Sequence, residues 1–224
     1  MNFHFRQVQR CIVRSRILLD ALIAFALFMG EPLAQAAMST VGGSFELSKL
    51  DGTTVTDQTY RGKWLLVYFG YTSCPSSCPT TLLAVSMALK ELGPDATQVR
   101  PLFITVDPEH DTPKVMQQYT ASFDPRIVGL TGTPKQIAAA AHEYGAYYVR
   151  HTTGPGPDDY VIDHSTYLYL MDPRGKFVRA FDPDTSSDQI TDALHALIVR
   201  GRDEGDNSYK TTGHSPNQEA GYDN

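Results

Sequence analysis

Cysteine is scarce in this chain, with three among 224 residues. That is too few for a disulfide-stapled scaffold. Cys11 lies in a basic, apolar leader, which leaves Cys74 and Cys78 for chemistry. There is no second cysteine pair, so a four-sulfur zinc site is excluded. Basic charge is short as well: 19 Lys and Arg stand against 25 Asp and Glu, for a formal charge of −6. The first 36 residues hold four arginines against Asp20 and Glu31, a net of +2, which leaves −8 for the rest. That balance argues against a nucleic-acid binder, which needs a basic footprint. No internal repeat is evident, so a solenoid or propeller is not expected.

Long apolar runs are also missing. The strictly apolar stretch 21–29 falls well short of the roughly 20 residues that span a bilayer. Extending it back to Ile17 takes in Asp20, which is costly in lipid. Four arginines precede this stretch and Ala34-Gln35-Ala36 follows it. Basic flank, short apolar core and small-x-small site make up an export signal. Residues 1–36 are therefore expected to be a signal peptide, with an uncleaved inner-membrane anchor or a cytosolic amphipathic arm as alternatives. Export places the remainder in the periplasm or a comparable extracytoplasmic space, where disulfides persist.

What is present alternates between strand and helix. Phe45-Glu46-Leu47, the turn at Asp51-Gly52 and Val55 read as a strand-and-hairpin lead-in. Residues 64–69 (WLLVYF) read as a buried strand. A helix over 79–92 follows, opened by Pro79 and closed by Gly93-Pro94. Further strands are expected at 99–106, 127–130 and 146–150, with helices at 113–123 and 134–144 between them. Thr112-Pro113 and Thr133-Pro134 supply the helix starts. A Gly/Pro-rich loop at 152–160 leads to a hairpin, 166–171 with 177–181. The last helix is expected to run to about Arg200. Residues 201–224 are polar and lack aliphatic side chains, so a disordered tail is expected there. The domain itself occupies 37–200. Its fold class is α/β, with a mixed central sheet covered by helices on both faces. The order matches a thioredoxin-like fold with an extra helix–strand insertion.

The chemistry centres on Cys74-Pro75-Ser76-Ser77-Cys78-Pro79. Both sulfurs fall where a central strand turns into a helix. Free amide N–H groups and the positive end of the helix dipole favour thiolate there. Cysteines spaced i, i+4 on a helical turn have Cα atoms about 6 Å apart, which permits a disulfide. The same spacing lets both sulfurs bind one ion, and two thiolates with few further ligands suit a soft ion such as Cu(I). An inert loop-stapling disulfide is disfavoured, because so small a ring constrains little chain entropy.

A third ligand must come from the seven histidines. Asp163-His164-Ser165 directly precedes the strand expected at 166–171. In a thioredoxin-like sheet the loop before that strand faces the dithiol. A thioredoxin carries a cis-proline there, and this chain has no proline between Pro157 and Pro173. His164 facing two thiolates would complete a two-sulfur, one-nitrogen site. His110, His142, His151 and His195 are expected to be ordinary structural residues, as are His4 in the leader and His214 in the tail.

Four ordered motifs carry a resemblance. They are VYFGYTSCPSSCPTTL at 67–82, FITVDPEHDTP at 103–113, GLTG at 129–132 and Asp163-His164-Ser165. Across residues 42–200 the chain resembles the SCO/SenC family of copper chaperones for cytochrome c oxidase assembly. The resemblance implies that Cys74, Cys78 and His164 are copper ligands, for Cu(I) and Cu(II), and that Cys74 and Cys78 form a redox disulfide. It implies delivery of copper to the binuclear copper centre of an oxidase subunit, or reduction of the thiols there. The partners implied are that subunit, a copper donor protein and a thioredoxin-like reductase. Asp107, Asp111 and Asp163 are expected to support the site from behind the ligands. The chain departs from the family at Ser76, where an acid is usual, at Ser77, where an aliphatic residue is usual, and at His110, where Arg is usual. Loss of the acid removes a like charge beside the thiolates, which lowers their pKa and weakens attraction for a cation.

Two other functions compete with a non-enzymatic metallochaperone. A thiol–disulfide oxidoreductase acting on partner cysteines fits the fold and the oxidising compartment. Against it stand the three-residue spacing of the cysteines, the missing proline and His164. A thioredoxin-superfamily peroxidase needs a cysteine activated by a nearby Arg or polar donors, and no Arg lies between Arg61 and Arg100.

Overall fold

The computed structural model describes residues 41–212, with side chains described to residue 202. The expected signal, 1–36, and the last twelve residues, 213–224, lie outside the described residues. No helix among the described residues is long and apolar enough to cross a membrane.

Strands β1 (Glu46–Lys49) and β2 (Thr54–Thr56) pair antiparallel around the turn at Asp51-Gly52, where Gly52 takes φ of 85°. Strand β3 (Trp64–Gly70) is buried at every residue, as a strand covered on both faces must be. Helix α1 (Ser77–Glu91) follows, then a 3-10 segment (Gly93–Gln98) and β4 (Val99–Thr105). Helix α2 (Pro113–Phe123), β5 (Val128–Thr131) and α3 (Pro134–Glu143) come next. The chain closes with β6 (Tyr148–Thr152), β7 (Tyr160–His164), β8 (Leu168–Met171), β9 (Phe177–Phe181) and α4 (Ser187–Thr212).

The main sheet has the order β2-β1-β5-β4-β3-β8-β9. Pairs β3/β4 and β4/β5 are parallel, whereas β8 runs antiparallel to β3. Alternation along β3 sends Tyr68 to one face and Phe69 to the other. On the first face Tyr68 stacks on Phe103, and Phe103 meets Tyr119 of α2. Helix α1 packs against α2 and α4. On the second face Phe69 meets Tyr144, just past α3, and Tyr169 of β8. The core thus has helices on both sides of a mixed sheet, as the sequence predicts.

Caps fix two helix starts. The Thr112 hydroxyl accepts from Val115 N at 3.3 Å, and Thr133 and Gln136 form a reciprocal capping box. Ile190, Leu194 and Ile198 seat α4 on the core with at most 2% exposure. Each such side chain contributes roughly 1.5–3 kcal/mol by leaving water.

Three expectations need correction. Helix α1 starts at Ser77 instead of Pro79, so Cys78 belongs to its first turn, where proline is still tolerated. Residues 160–164 are a strand, and the preceding loop ends sooner than expected. In β7 the side chains of Ile162 and His164 turn inward while Val161 and Asp163 turn out, and the strand pairs antiparallel with β6 in a separate two-stranded sheet. Finally, α4 continues to Thr212, so 201–212 is helix and not disordered tail. A lack of aliphatic residues shows only that a segment has little to bury, and helix propensity is a separate matter. No proline interrupts the chain between Ser187 and Pro216, and Arg202 holds Asp95 across the 3-10 segment.

Candidate metal centre

The site forms where β3 gives way to α1. Strand β3 ends at Gly70, and a turn closed by Cys74 N donating to Tyr71 O at 3.2 Å brings Cys74 toward the helix. Ser76, the N-cap residue, makes no side-chain cap. The Cys74 sulfur takes that role instead, accepting from Cys78 N at 3.4 Å. The Ser77 hydroxyl lies 3.2 Å from the same sulfur. Cys74 is 8% exposed and Cys78 is fully buried.

Gly70 makes room for this arrangement. A Cβ there would sit 2.6 Å from Cys78 Sγ and 2.9 Å from the Phe103 ring. With a side chain at that position, the sulfur could not reach the sheet.

His164 arrives from β7, opposite Tyr148 of β6. Ser165 N donates to Tyr147 O at 2.9 Å, and Tyr147 N donates to the Ser165 hydroxyl at 3.0 Å. Ile162 N donates to the Tyr71 hydroxyl at 3.3 Å, tying β7 to the turn that carries Cys74. The imidazole meets the Tyr71 and Tyr68 rings edge-on, at 5.7 and 6.1 Å between centroids. Its Nδ1–H donates to Ser165 O at 2.9 Å. In the neutral imidazole that bond leaves Nε2 as the free acceptor. Nε2 lies 3.6 Å from Cys78 Sγ and 3.8 Å from Cys74 Sγ.

The three atoms lie within 4.8 Å of one another. Bonds of about 2.3 Å to sulfur and about 2.0 Å to nitrogen, typical of a first-row ion such as zinc, would separate S and N by about 3.7 Å at a trigonal angle. The two S···N distances, 3.6 and 3.8 Å, match that separation. Among the described residues no other group of His, Cys, Asp and Glu comes together in this way.

Electrostatics divide the pair. The Cys78 thiol donating to Cys74 holds the Cys74 pKa far below that of an ordinary thiol. Burial opposes this, while His164, Ser77 and the Cys78 amide reinforce it. Cys78 is pushed up, because it holds the shared proton against the Cys74 charge and is itself buried. For His164, burial opposes the charged form, yet the Cys74 sulfur and the Ser165 carbonyl raise its pKa. Negative charge on the pair is thus favoured on Cys74 over Cys78. A metal ion must displace the Cys78 proton to take both sulfurs.

Both cysteines are free, so the expected disulfide is not formed here. Asp111 is 1% exposed and accepts from Thr72 N at 3.1 Å, Thr72 Oγ1 at 2.5 Å and Thr105 Oγ1 at 2.6 Å. It clamps the loop after β4 to the turn bearing Cys74. Asp107 accepts from the Tyr160 hydroxyl and so clamps the same loop to β7. These two carboxylates hold the segments that carry Cys74 and His164. Asp163 does not share that role, which corrects the expectation. It follows the alternation of β7 out to solvent and pairs with His151 at 3.1 Å. His110 bridges Asp158 at 2.8 Å and Asp107 at 3.5 Å, away from the sulfurs. His142 and His195 are exposed. Sequence reasoning noted Ser77 only as a departure, although its i+3 spacing from Cys74 was a readable signal. The roles of Tyr71, Tyr160 and Ser165 carried no such signal.

The SCO1/SenC family model matches residues 34–199. This chain belongs to the SCO1/SenC family. Among curated relatives, the mitochondrial SCO2 homolog of Homo sapiens is 40% identical over 77% of this chain and 64% of its own length. The mitochondrial SCO1 homolog 1 of Arabidopsis thaliana is 38% identical over 71% of this chain and 47% of its own. The chain thus spans about half to two thirds of those relatives. Bradyrhizobium japonicum ScoI, solved with copper bound, is 42% identical with a TM-score of 0.65, over 70% of this chain and 98% of that one. The thioredoxin-like α/β fold is shared with these SCO1/SenC structures.

Two outcomes follow from the geometry. Gly70→Ala should cost roughly 1–3 kcal/mol by overpacking and lower affinity for a soft ion by at least about tenfold, since a displacement worth 1.4 kcal/mol already does so. Denaturation and chelator competition measure the two, and unchanged affinity would show that Cys78 does not need the space. Ser77→Ala removes a donor to the thiolate and should raise the Cys74 pKa. Alkylation rate against pH reads it, and an unmoved profile would remove Ser77 from the site.

Proposed function

We propose that this protein is a copper chaperone that carries one copper ion on Cys74 Sγ, Cys78 Sγ and His164 Nε2. The observation behind this reading is the convergence of those three buried atoms within 4.8 Å. Two sulfurs and an imidazole suit Cu(I), and they also accept Cu(II). The donors fit a cargo ion: Cys74 is at the surface end of the site while Cys78 is sealed beneath it. An incoming acceptor ligand would displace the outer sulfur first. Copper bound in Bradyrhizobium japonicum ScoI supports the same cargo here.

The recipient in this reading is the binuclear copper centre of cytochrome c oxidase, loaded directly or after its thiols are reduced. One SCO1/SenC relative of the same fold is described as a member of a family of cytochrome c oxidase assembly proteins. A copper donor protein and a thioredoxin-like reductase complete the partner set. Residues 1–36 direct the domain 37–200 out of the cytoplasm or tether it to the inner membrane.

A second reading, thiol–disulfide exchange on partner cysteines, draws on one observation. The depressed pKa of Cys74 makes it an available thiolate at neutral pH, and thiolates are the attacking species in exchange. The two readings differ in what copper does to the thiols. A chaperone's copper protects them from oxidation, whereas a pure oxidoreductase gives the same midpoint with and without the metal.

Titration of the reduced protein with Cu(I) against a competing chelator should end at a single equivalent. His164→Ala should keep that Cu(I) equivalent and lose most Cu(II) affinity, because two-coordinate sulfur satisfies Cu(I) alone. A reduced protein that takes up no copper contradicts the proposal. An unchanged Cu(II) spectrum in His164→Ala removes His164 from the ligands.

A further inference from the structure

Tyr68 stands in the middle of the site's inner wall, and neither the fold nor the ligand set accounts for its hydroxyl. The residue is 1% exposed. Its ring stacks on Phe103 and meets His164 edge-on. Its hydroxyl is buried and makes no hydrogen bond. A buried hydroxyl without a partner is unfavourable, and native proteins rarely leave one so. Phenylalanine would fill the same space without that cost.

The surroundings of the hydroxyl point to its missing partner. It lies beside Cys78, Thr81 and Ser77 on the first turns of α1. The Tyr68 ring edge and Cys78 Sγ also converge on the bare Cα of Gly70: a Cβ there would be 3.1 Å from Tyr68 Cε1 and 2.6 Å from the sulfur. Tyr60 and Tyr119 are the other buried hydroxyls without a partner among the described residues.

A protonated thiol is a weak acceptor, whereas a metal-bound thiolate is a strong one. A cysteine sulfur that ligates a metal ion does so as the thiolate. We propose that the Tyr68 O–H donates to Cys78 Sγ when copper is bound, and that this bond tunes the centre toward Cu(I). The inference rests on the copper-chaperone reading. No proton is transferred in the step: the Cys78 proton leaves to solvent as the metal binds, and the Tyr68 hydroxyl turns its hydrogen toward the new anion. A donor to a ligating sulfur draws off electron density, which weakens donation to Cu(II) more than to Cu(I) and raises the Cu(II)/Cu(I) potential. Tyr68 is a positioning and tuning residue, since it acts on copper through Cys78.

The test uses the full chain and Tyr68→Phe, each loaded with Cu(II) or Cu(I). Both should bind the same single equivalent of Cu(I). In Tyr68→Phe the thiolate-to-Cu(II) charge-transfer band should move to lower energy. The ratio of Cu(II) to Cu(I) affinity should rise by about tenfold, a fall of about 59 mV for one electron. Replacing Tyr68 by 3-fluorotyrosine, a stronger donor of the same shape, should move the band the other way. That arm keeps the question answerable if Tyr68→Phe does not fold. A band that stays in place, or moves to higher energy in Tyr68→Phe, overturns the inference while leaving the chaperone reading intact. Failure of the unsubstituted protein to take up copper overturns both.

Discussion

Close packing between Gly70 and the Cys78 sulfur is the constraint on which the rest of the site depends. A helix start can approach the end of a central strand this closely only where the strand carries no side chain, and here a Cβ would meet the sulfur at 2.6 Å. Once Cys78 is seated, the register of α1 puts Ser77 beside the Cys74 sulfur and lets that sulfur accept the Cys78 amide. An atom that usually belongs to a Ser, Thr or Asp cap is here a cysteine sulfur, and the helix end it caps favours its charged form. The same interaction therefore closes the helix and turns a donor sulfur toward the cluster.

His164 reaches the sulfurs by a different route, and its placement is held at several points. The β6–β7 pair is not part of the main sheet, so nothing in the core ladder fixes it. Two polar links do so instead: Ile162 N to the Tyr71 hydroxyl and the Tyr160 hydroxyl to Asp107. Asp111 then joins the Asp107 loop to Thr72. A ring of hydrogen bonds thus runs from the turn bearing Cys74, through the loop after β4, to the strand bearing His164. This explains why two buried carboxylates lie behind the Cys74, Cys78 and His164 cluster and take no part in it.

Much of this was legible in the sequence. The apolar run at 64–69, the proline-opened helices and the cysteine spacing all rest on local rules, and each gave an element close to the observed one. His164 was legible from its place before a core strand. Strand β7 was not, because Tyr160, Asp163 and a glycine-rich approach dilute its alternation, and its partner strand is itself largely exposed. The outward turn of Asp163 follows from that strand, so missing the one meant misplacing the other. The extension of α4 to Thr212 was hidden by polarity, which reports burial and not backbone conformation. The ring of links through Asp107 and Asp111 joins residues far apart in the chain, and no local pattern announces it.

The central claim is that two sulfurs and the Nε2 of His164 share one ion. X-ray absorption at the copper edge of the Cu(I)-loaded protein, with and without His164→Ala, tests it most directly. The account predicts two sulfur neighbours and one imidazole nitrogen in the unsubstituted protein, with the imidazole scattering gone in the variant and both sulfurs kept. A copper bound by one sulfur, or imidazole scattering that survives the loss of His164, would contradict it.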